Sequence, residues 1–242
     1  MIKLNSLIIL CLIVISSCNS YKNIPYFQNL NRSGNVSENI ENFSPLTIQP
    51  EDILSVSVVS LNPAAWQDST NKAEYLVNQI GEIQLPLIGN VKVSGLTATT
   101  TQTQIQERLR PFLKKPIVNV RIVNFKVSVL GDVAHPDVFK VANTRITLLE
   151  ALSLAGDLNI TARRTDVLLI REVNGKREYQ NIDLTSASTF KGSSYYLKNN
   201  DVIYVQADKA KYASVDRGYR TSGLILSALS IVAIVVTSIL NK

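Results

Sequence analysis

The sequence predicts an α+β protein: two small α+β units in tandem, followed by a C-terminal transmembrane helix. Three observations carry this. Short β-favouring runs broken by turn residues recur between Leu46 and Gln206. Two helical patterns are set among them, around Ile105 and Leu149. The chain then closes on Ser222 to Leu240, an apolar stretch without a charge. Composition agrees, with 45% hydrophobic and 18% charged residues over 242 positions, as in a folded protein rather than a disordered one.

The first unit, 44–125, opens with Leu46 to Ile48, a short strand that meets the turn Pro50-Glu51-Asp52. A strand over Ile53 to Val59 follows. Asn78 to Val93 reads as short strands separated at Gly81 and Gly89. Thr97 to Leu113 reads as a helix, because Ile105, Leu109, Phe112 and Leu113 fall on one face. Pro111 must kink or end it. Ile117 to Phe125 then alternates as a half-buried strand should.

The second unit, 126–207, begins with a hairpin from Val127 to Phe139, turning at His135-Pro136-Asp137. Thr147 and Glu150 form a capping box at the start of a helix that stops at Gly156. Val167 to Val173, Asn174-Gly175 and Lys176 to Ile182 give a hairpin signal. Asp201 to Val205 supplies a last strand, which makes a β-grasp-like module of a few strands curled over one helix.

Both ends of the chain point at membranes. Lys3 precedes the apolar run Leu7 to Ile15, the pattern of a secretory signal. Ser16-Ser17-Cys18 then follows the end of that run as in a bacterial lipobox. The expectation is a lipoprotein signal peptide over 1–17, lipidation of Cys18, and a tether over 18–43 in which Tyr26 and Phe27 dock locally. Cys11 leaves with the signal, so no disulfide is expected. Asn19, in place of an inner-membrane aspartate, points to the outer membrane. A basic linker, 208–221, leads to the predicted transmembrane helix, 222–240. At about 1.5 Å per residue this helix spans roughly 28 Å, a bilayer core. Gly223, Ser227, Ser230 and Thr237 share one of its faces. Such a stripe serves close helix packing or the lining of a narrow wet channel, and a plain single-pass anchor is the alternative.

Chemistry-bearing motifs are scarce. One histidine and two cysteines leave no metal-ligand spacing, and no catalytic site or cofactor is expected. His135 reads as a turn residue, and Glu51-Asp52 as a turn contact to backbone N–H groups rather than an acid/base pair. Arg171 and Arg163-Arg164 read as solvated or interface charges, the alternative being contact with an anionic polysaccharide. The net charge of +6 is too dispersed for nucleic-acid binding.

In order and spacing these segments resemble the outer-membrane polysaccharide export family, the Wza-type capsule and exopolysaccharide translocons. Leu46 to Val59 is similar to the opening of that family's export domain. Gly81 to Gly89 and Val93 to Thr97 are similar to its central signature, and Lys115-Pro116 to its end. Gly131-Asp132-Val133, Pro136, Thr147 to Leu152, Ala155-Gly156, Leu169 to Arg171 and Asp201 to Ile203 resemble the family's soluble-ligand-binding β-grasp (SLBB) domain. Asp137, Asp157 and Asn200 stand where the family has glycine, so altered loop geometry is expected there.

The resemblance implies a non-enzymatic outer-membrane lipoprotein. Its body would sit in the periplasm as a ring of identical subunits, exporting polysaccharide with an inner-membrane polysaccharide co-polymerase as partner. The alternative is a membrane-anchored periplasmic glycan-binding adaptor without a pore of its own.

Overall fold

The computed structural model describes residues 24–35, 37–40, 42, 44–61, 73–173, 175–213 and 217–240, without the side chains of 213–220, 222, 237 and 240. The signal peptide, Cys18 and Trp66 lie outside the described residues.

The first domain holds β1 (Ile53–Val59), β2 (Ala73–Leu76), β3 (Glu82–Leu85), β4 (Gly89–Lys92), α1 (Ala98–Leu109) and β5 (Ile117–Ile122). β1 lies between β2 and β5, antiparallel to both, and β3–β4 is a separate hairpin. Alternation on β1 sends Leu54, Val56 and Val58 inward. There they meet Ile105 and Leu109 of α1 and Val118 and Val120 of β5. Thr97 caps α1 by accepting from the Thr100 N–H at 3.1 Å. The helix ends before Pro111, as a missing N–H and a fixed φ require. Phe112 thereby leaves the helical phase and is half exposed, whereas Leu113 stays in the core. The expected strand at Leu46 to Ile48 is reduced to one bridge, Thr47 to Thr97.

The second domain holds β6 (Lys126–Gly131), β7 (Asp137–Lys140), α2 (Leu148–Leu154), β8 (Ala162–Val173), β9 (Lys176–Ile182), a 3-10 helix (Ala187–Lys191) and β10 (Val202–Ala207). They form one sheet in the order β7-β6-β10-β8-β9, with α2 packed on one face. The last strand is central, parallel to β6 and antiparallel to β8. The capping box is present: Glu150 Oε2 accepts from the Thr147 N–H at 2.6 Å, and Thr147 Oγ1 from the Glu150 N–H at 3.2 Å. Asp157 and Asn200, two of the residues standing where the family has glycine, take φ of 72° and 65°, the left-handed conformation that glycine favours and that short Asp and Asn side chains tolerate.

Two glycines are fixed by close approach. A Cβ on Gly131, at φ +97°, would lie 2.0 Å from the Val205 carbonyl oxygen across the parallel β6–β10 pair. One on Gly81 would lie 2.3 Å from Ser94 Cβ. Both halves of the central signature therefore meet in space, and Gly81 is where they touch.

α3 (Lys209–Ala213) and α4 (Arg217–Leu240) follow β10. The described side chains of α4 from Gly223 to Val236 are exposed. Among the described residues, no helix is long and apolar enough to cross a membrane.

Candidate functional site: the domain seam and the tether cleft

The two domains meet at a buried polar hub. Asp52, 1% exposed, sits in the turn before β1 and accepts from the Gln49 N–H at 2.8 Å. Its other oxygen accepts from Asn199 Nδ2 at 2.6 Å. Asn199 Oδ1 in turn accepts from the Lys126 N–H at 3.0 Å, at the first residue of β6. On the first domain's side of the seam, Asn124 ties the end of that domain to the same turn, accepting from the Ile53 N–H at 2.8 Å and donating to the Glu51 carbonyl at 3.0 Å. Burial pushes the Asp52 carboxyl above its ordinary range, and the bonds from Gln49 and Asn199 only partly offset this. The expected backbone contact of this turn is therefore present, and the turn also holds the domains together. Ile122 packs against both cores.

A second hub ties the C-terminal segment to the body. The buried Asp132 carboxylate accepts from Asn159 Nδ2 at 2.9 Å, Thr161 Oγ1 at 2.7 Å and Lys211 Nζ of α3 at 2.5 Å. Burial alone would raise its pKa, but these donors outweigh it and hold the carboxyl below the usual range.

The arginines singled out in the sequence serve the fold. Arg171 forms a two-pronged ion pair with Asp201, at 2.9 and 2.6 Å, and donates to the Tyr196 carbonyl at 3.0 Å. Arg164 is buried and donates to the Ala162 and Leu158 carbonyls. Only Arg163 is surface-placed, paired with Asp166 at 3.1 Å and bonded to Gln206 at 2.9 Å. His135 is a turn residue: its N–H donates to the Ala155 carbonyl at 2.8 Å, and its ring packs beside Gly156. Among the described residues no cluster could hold a metal ion.

The N-terminal tether docks, but not locally. Tyr26 donates to the Asp157 carboxylate, and the Arg164 guanidinium lies 5.6 Å from its ring centroid. Phe27 packs 4.6 Å from Phe190, and the Phe27 and Gln28 N–H groups donate to the Leu184 and Thr185 carbonyls. Asn42 Nδ2 then donates to the Phe190 and Gly192 carbonyls at 2.8 and 2.7 Å. Between this segment and the second domain lies a cleft of about 650 Å³, lined by Arg145, Phe190, Tyr195 and Tyr196 among others. The cleft is not legible in the sequence: Phe190, Tyr195 and Tyr196 are near neighbours that contact one another, but the opposite wall comes from Glu38, Asn39, Ile40 and Asn42 of the tether, far away along the chain.

Of the predicted helix stripe, Gly223, Ser227 and Ser230 are exposed on α4. Ser227 donates to the Leu224 carbonyl at 2.9 Å and Ser230 to that of Ser227 at 2.7 Å. The side chain of Thr237 is outside the described residues.

The arrangement defines a two-domain scaffold, in which buried acids and arginines join segments of chain. Comparison with known proteins specifies it. Residues 41–123 match the family model for polysaccharide biosynthesis/export protein, and residues 125–205 match that for the SLBB domain. The EPS I polysaccharide export outer membrane protein EpsA of Ralstonia solanacearum is 26% identical over 146 residues, 59% of this chain and 38% of that protein. Its counterpart in Ralstonia nicotianae is 32% identical over 101 residues, 40% of this chain and 26% of that protein. The chain thus joins a polysaccharide biosynthesis/export domain to an SLBB domain. The match spans well under half the length of these curated relatives.

Proposed function

We propose that this protein is an outer-membrane lipoprotein that assembles with identical subunits into a channel exporting capsular or exopolysaccharide. The observation that carries the reading is the adjacency of the two domain matches, in a body similar to proteins named as polysaccharide export outer membrane proteins. In this reading Cys18 carries the acyl anchor and residues 44–207 form the periplasmic ring. The 222–240 helices cross the outer membrane together around the exit. One helix cannot enclose a hydrated polymer, whereas a closed ring of them can. An inner-membrane polysaccharide co-polymerase is the partner, and no bond is made or broken by the protein.

A second reading has its own support. Ser227 and Ser230 turn their hydroxyls onto their own helix backbone, which suits a lipid-facing anchor as well as a pore wall. The protein is then a membrane-anchored periplasmic glycan-binding adaptor.

Surface labelling of an epitope placed after Lys242 separates the two, with an epitope in the Lys176-Arg177 hairpin as periplasmic control and polymer export retained. The channel reading expects the terminal tag to label in intact cells while the control stays hidden. Labelling only after the outer membrane is opened overturns it in favour of the adaptor.

A further inference from the structure

We propose that the turn Asp157 to Thr161 and the neighbouring helix α3 form a face of the SLBB domain that lies in the lipid headgroup region, with Ile160 and Tyr212 as its inserted residues. The inference rests on the reading in which both ends of the chain are membrane-anchored, and it deepens that reading.

Both ends of the chain are fastened to this one turn. From the N-terminal side, Tyr26 donates to the Asp157 carboxylate. From the C-terminal side, the Asp208 N–H, just before α3, donates to the Thr161 carbonyl at 2.7 Å. Asp132 joins the same two segments, because its carboxylate accepts from Asn159 Nδ2, from Thr161 Oγ1 and from Lys211 Nζ of α3. The distances to the membrane attachments are short. The chain from Cys18 to Tyr26 reaches about 28 Å at most, even fully extended. On the other side, only the rest of the basic linker separates Lys211 from the apolar stretch that starts at Ser222. Two tethers that start in lipid and end on one turn draw that turn to the bilayer.

What the turn presents suits that place. Leu158 is buried, and the Asn159 amide is taken up by Asp132 and the Val133 carbonyl, at 2.9 and 3.0 Å. Ile160 is left outward, 68% exposed. Tyr212 on α3 is 60% exposed, and Lys209 on the same helix is exposed as well. A single apolar residue on a protein surface is ordinary. Here an isoleucine, a tyrosine and a lysine fall on the two segments that carry the chain toward lipid. They are the set an interface takes: an apolar side chain for the acyl boundary, a ring with an apolar body and a polar tip, and an ammonium at headgroup level. The acids nearby are engaged within the chain. Asp157 accepts from Tyr26 and from the Leu158 N–H, Asp208 accepts from the Ala210 N–H at 2.9 Å, and Asp132 is buried.

The test is fluorescence quenching of the full chain in vesicles of phosphatidylethanolamine and phosphatidylglycerol, doped with phosphatidylcholine brominated on its acyl chains. The variants are Ile160→Trp, Tyr212→Trp and, as control, Ile80→Trp, and the wild type supplies the signal of Trp66. Ile80 is 65% exposed, on a turn of the export domain to which neither chain end is bonded among the described residues. All three positions are on the surface, so thermal melts are expected to match the wild type. A face about 5–10 Å into the headgroup and acyl boundary is expected to give at least about twofold more quenching at positions 160 and 212 than at 80. Quenching at either position no greater than at 80 overturns the proposal, whether the face is then open to water or covered by another copy of the chain. The outcome is separable from that of surface labelling. Quenching at 160 and 212 with a hidden C-terminal tag removes the channel and leaves this face standing, because the adaptor is membrane-anchored too. A surface-exposed tag without quenching removes the face and leaves the channel.

Discussion

Asp52 and Asn199, 147 positions apart in sequence, are joined by a hydrogen bond of 2.6 Å inside the seam between the two domains. Neither side chain is more than 6% exposed. Each also serves the backbone of its own side, Asp52 at Gln49 and Asn199 at Lys126. The bond therefore couples the turn that starts one domain to the strand that starts the other.

Removal of either partner leaves the other buried and unsatisfied. Asp52→Ala and Asn199→Ala are each expected to cost about 1–3 kcal/mol. The double variant is expected to cost less than their sum. Urea unfolding of all three gives the coupling directly, and strict additivity would contradict the bond.

Gly131 and Gly89 both have positive φ, yet they differ in surroundings. Gly89 has open space where a Cβ would go, and Gly131 has the Val205 carbonyl. Gly89→Ala is expected to cost about 1–2 kcal/mol, the left-handed penalty alone. Gly131→Ala adds a backbone clash and is expected to cost well beyond that, with loss of the β6–β10 pairing seen as faster amide exchange in β10. Equal losses in thermal melts would refute the distinction.

The Arg171–Asp201 pair is a buried ion pair whose loss strands a charge. Arg171→Ala is expected to destabilise the SLBB domain by about 3–5 kcal/mol. Arg171→Lys keeps the charge but not the two-pronged geometry, so it is expected to fall in between. A denaturation midpoint unchanged in Arg171→Ala would show the pair to be dispensable.

Asp132 and Asp52 respond to pH with opposite sign. The Asp132 carboxyl is held low, so its contribution to stability is complete above the unfolded value near ~3.9 and is lost as pH falls through the folded one. Asp52 is pushed up by burial, so its contribution is complete below ~3.9 and is lost as pH rises through its folded value. The stability gap between wild type and Asp132→Asn is therefore expected to narrow as pH falls below about 4. A gap independent of pH, measured by urea unfolding at several pH values, would overturn the assignment.

Phe27→Ala removes the ring that seats the tether on Phe190. Limited proteolysis is expected to cut the segment before Leu46 faster in this variant, with the body intact. An unchanged rate would mean that the backbone bonds of Phe27 and Gln28 hold the segment alone.

What could be read from sequence was local. The Thr147–Glu150 box, the end of α1 before Pro111 and the β8–β9 hairpin each depend on a few neighbouring residues, and each is present as expected. β2 escaped because four residues with Glu74 in the middle give no periodic signal, and only pairing with β1 makes them a strand. The seam and the cleft escaped for the same reason at longer range. Asn199 and Tyr26 are unremarkable in their own neighbourhoods, and their partners, Asp52 and Asp157, are more than a hundred residues away.

The central position of β10 has a mechanical consequence. The strand leaves the sheet directly into α3 and α4, so tension on the terminal helix is delivered along β10. β6 grips that strand on one side and β8 on the other, with hydrogen bonds lying across the direction of pull. Sliding β10 out requires both ladders to shear together, rather than one to unzip from an edge. Lys211, paired with Asp132, adds a clamp just beyond the strand's exit. The body is thereby built to resist a force applied at its C-terminal end, as a mooring resists a moving hull.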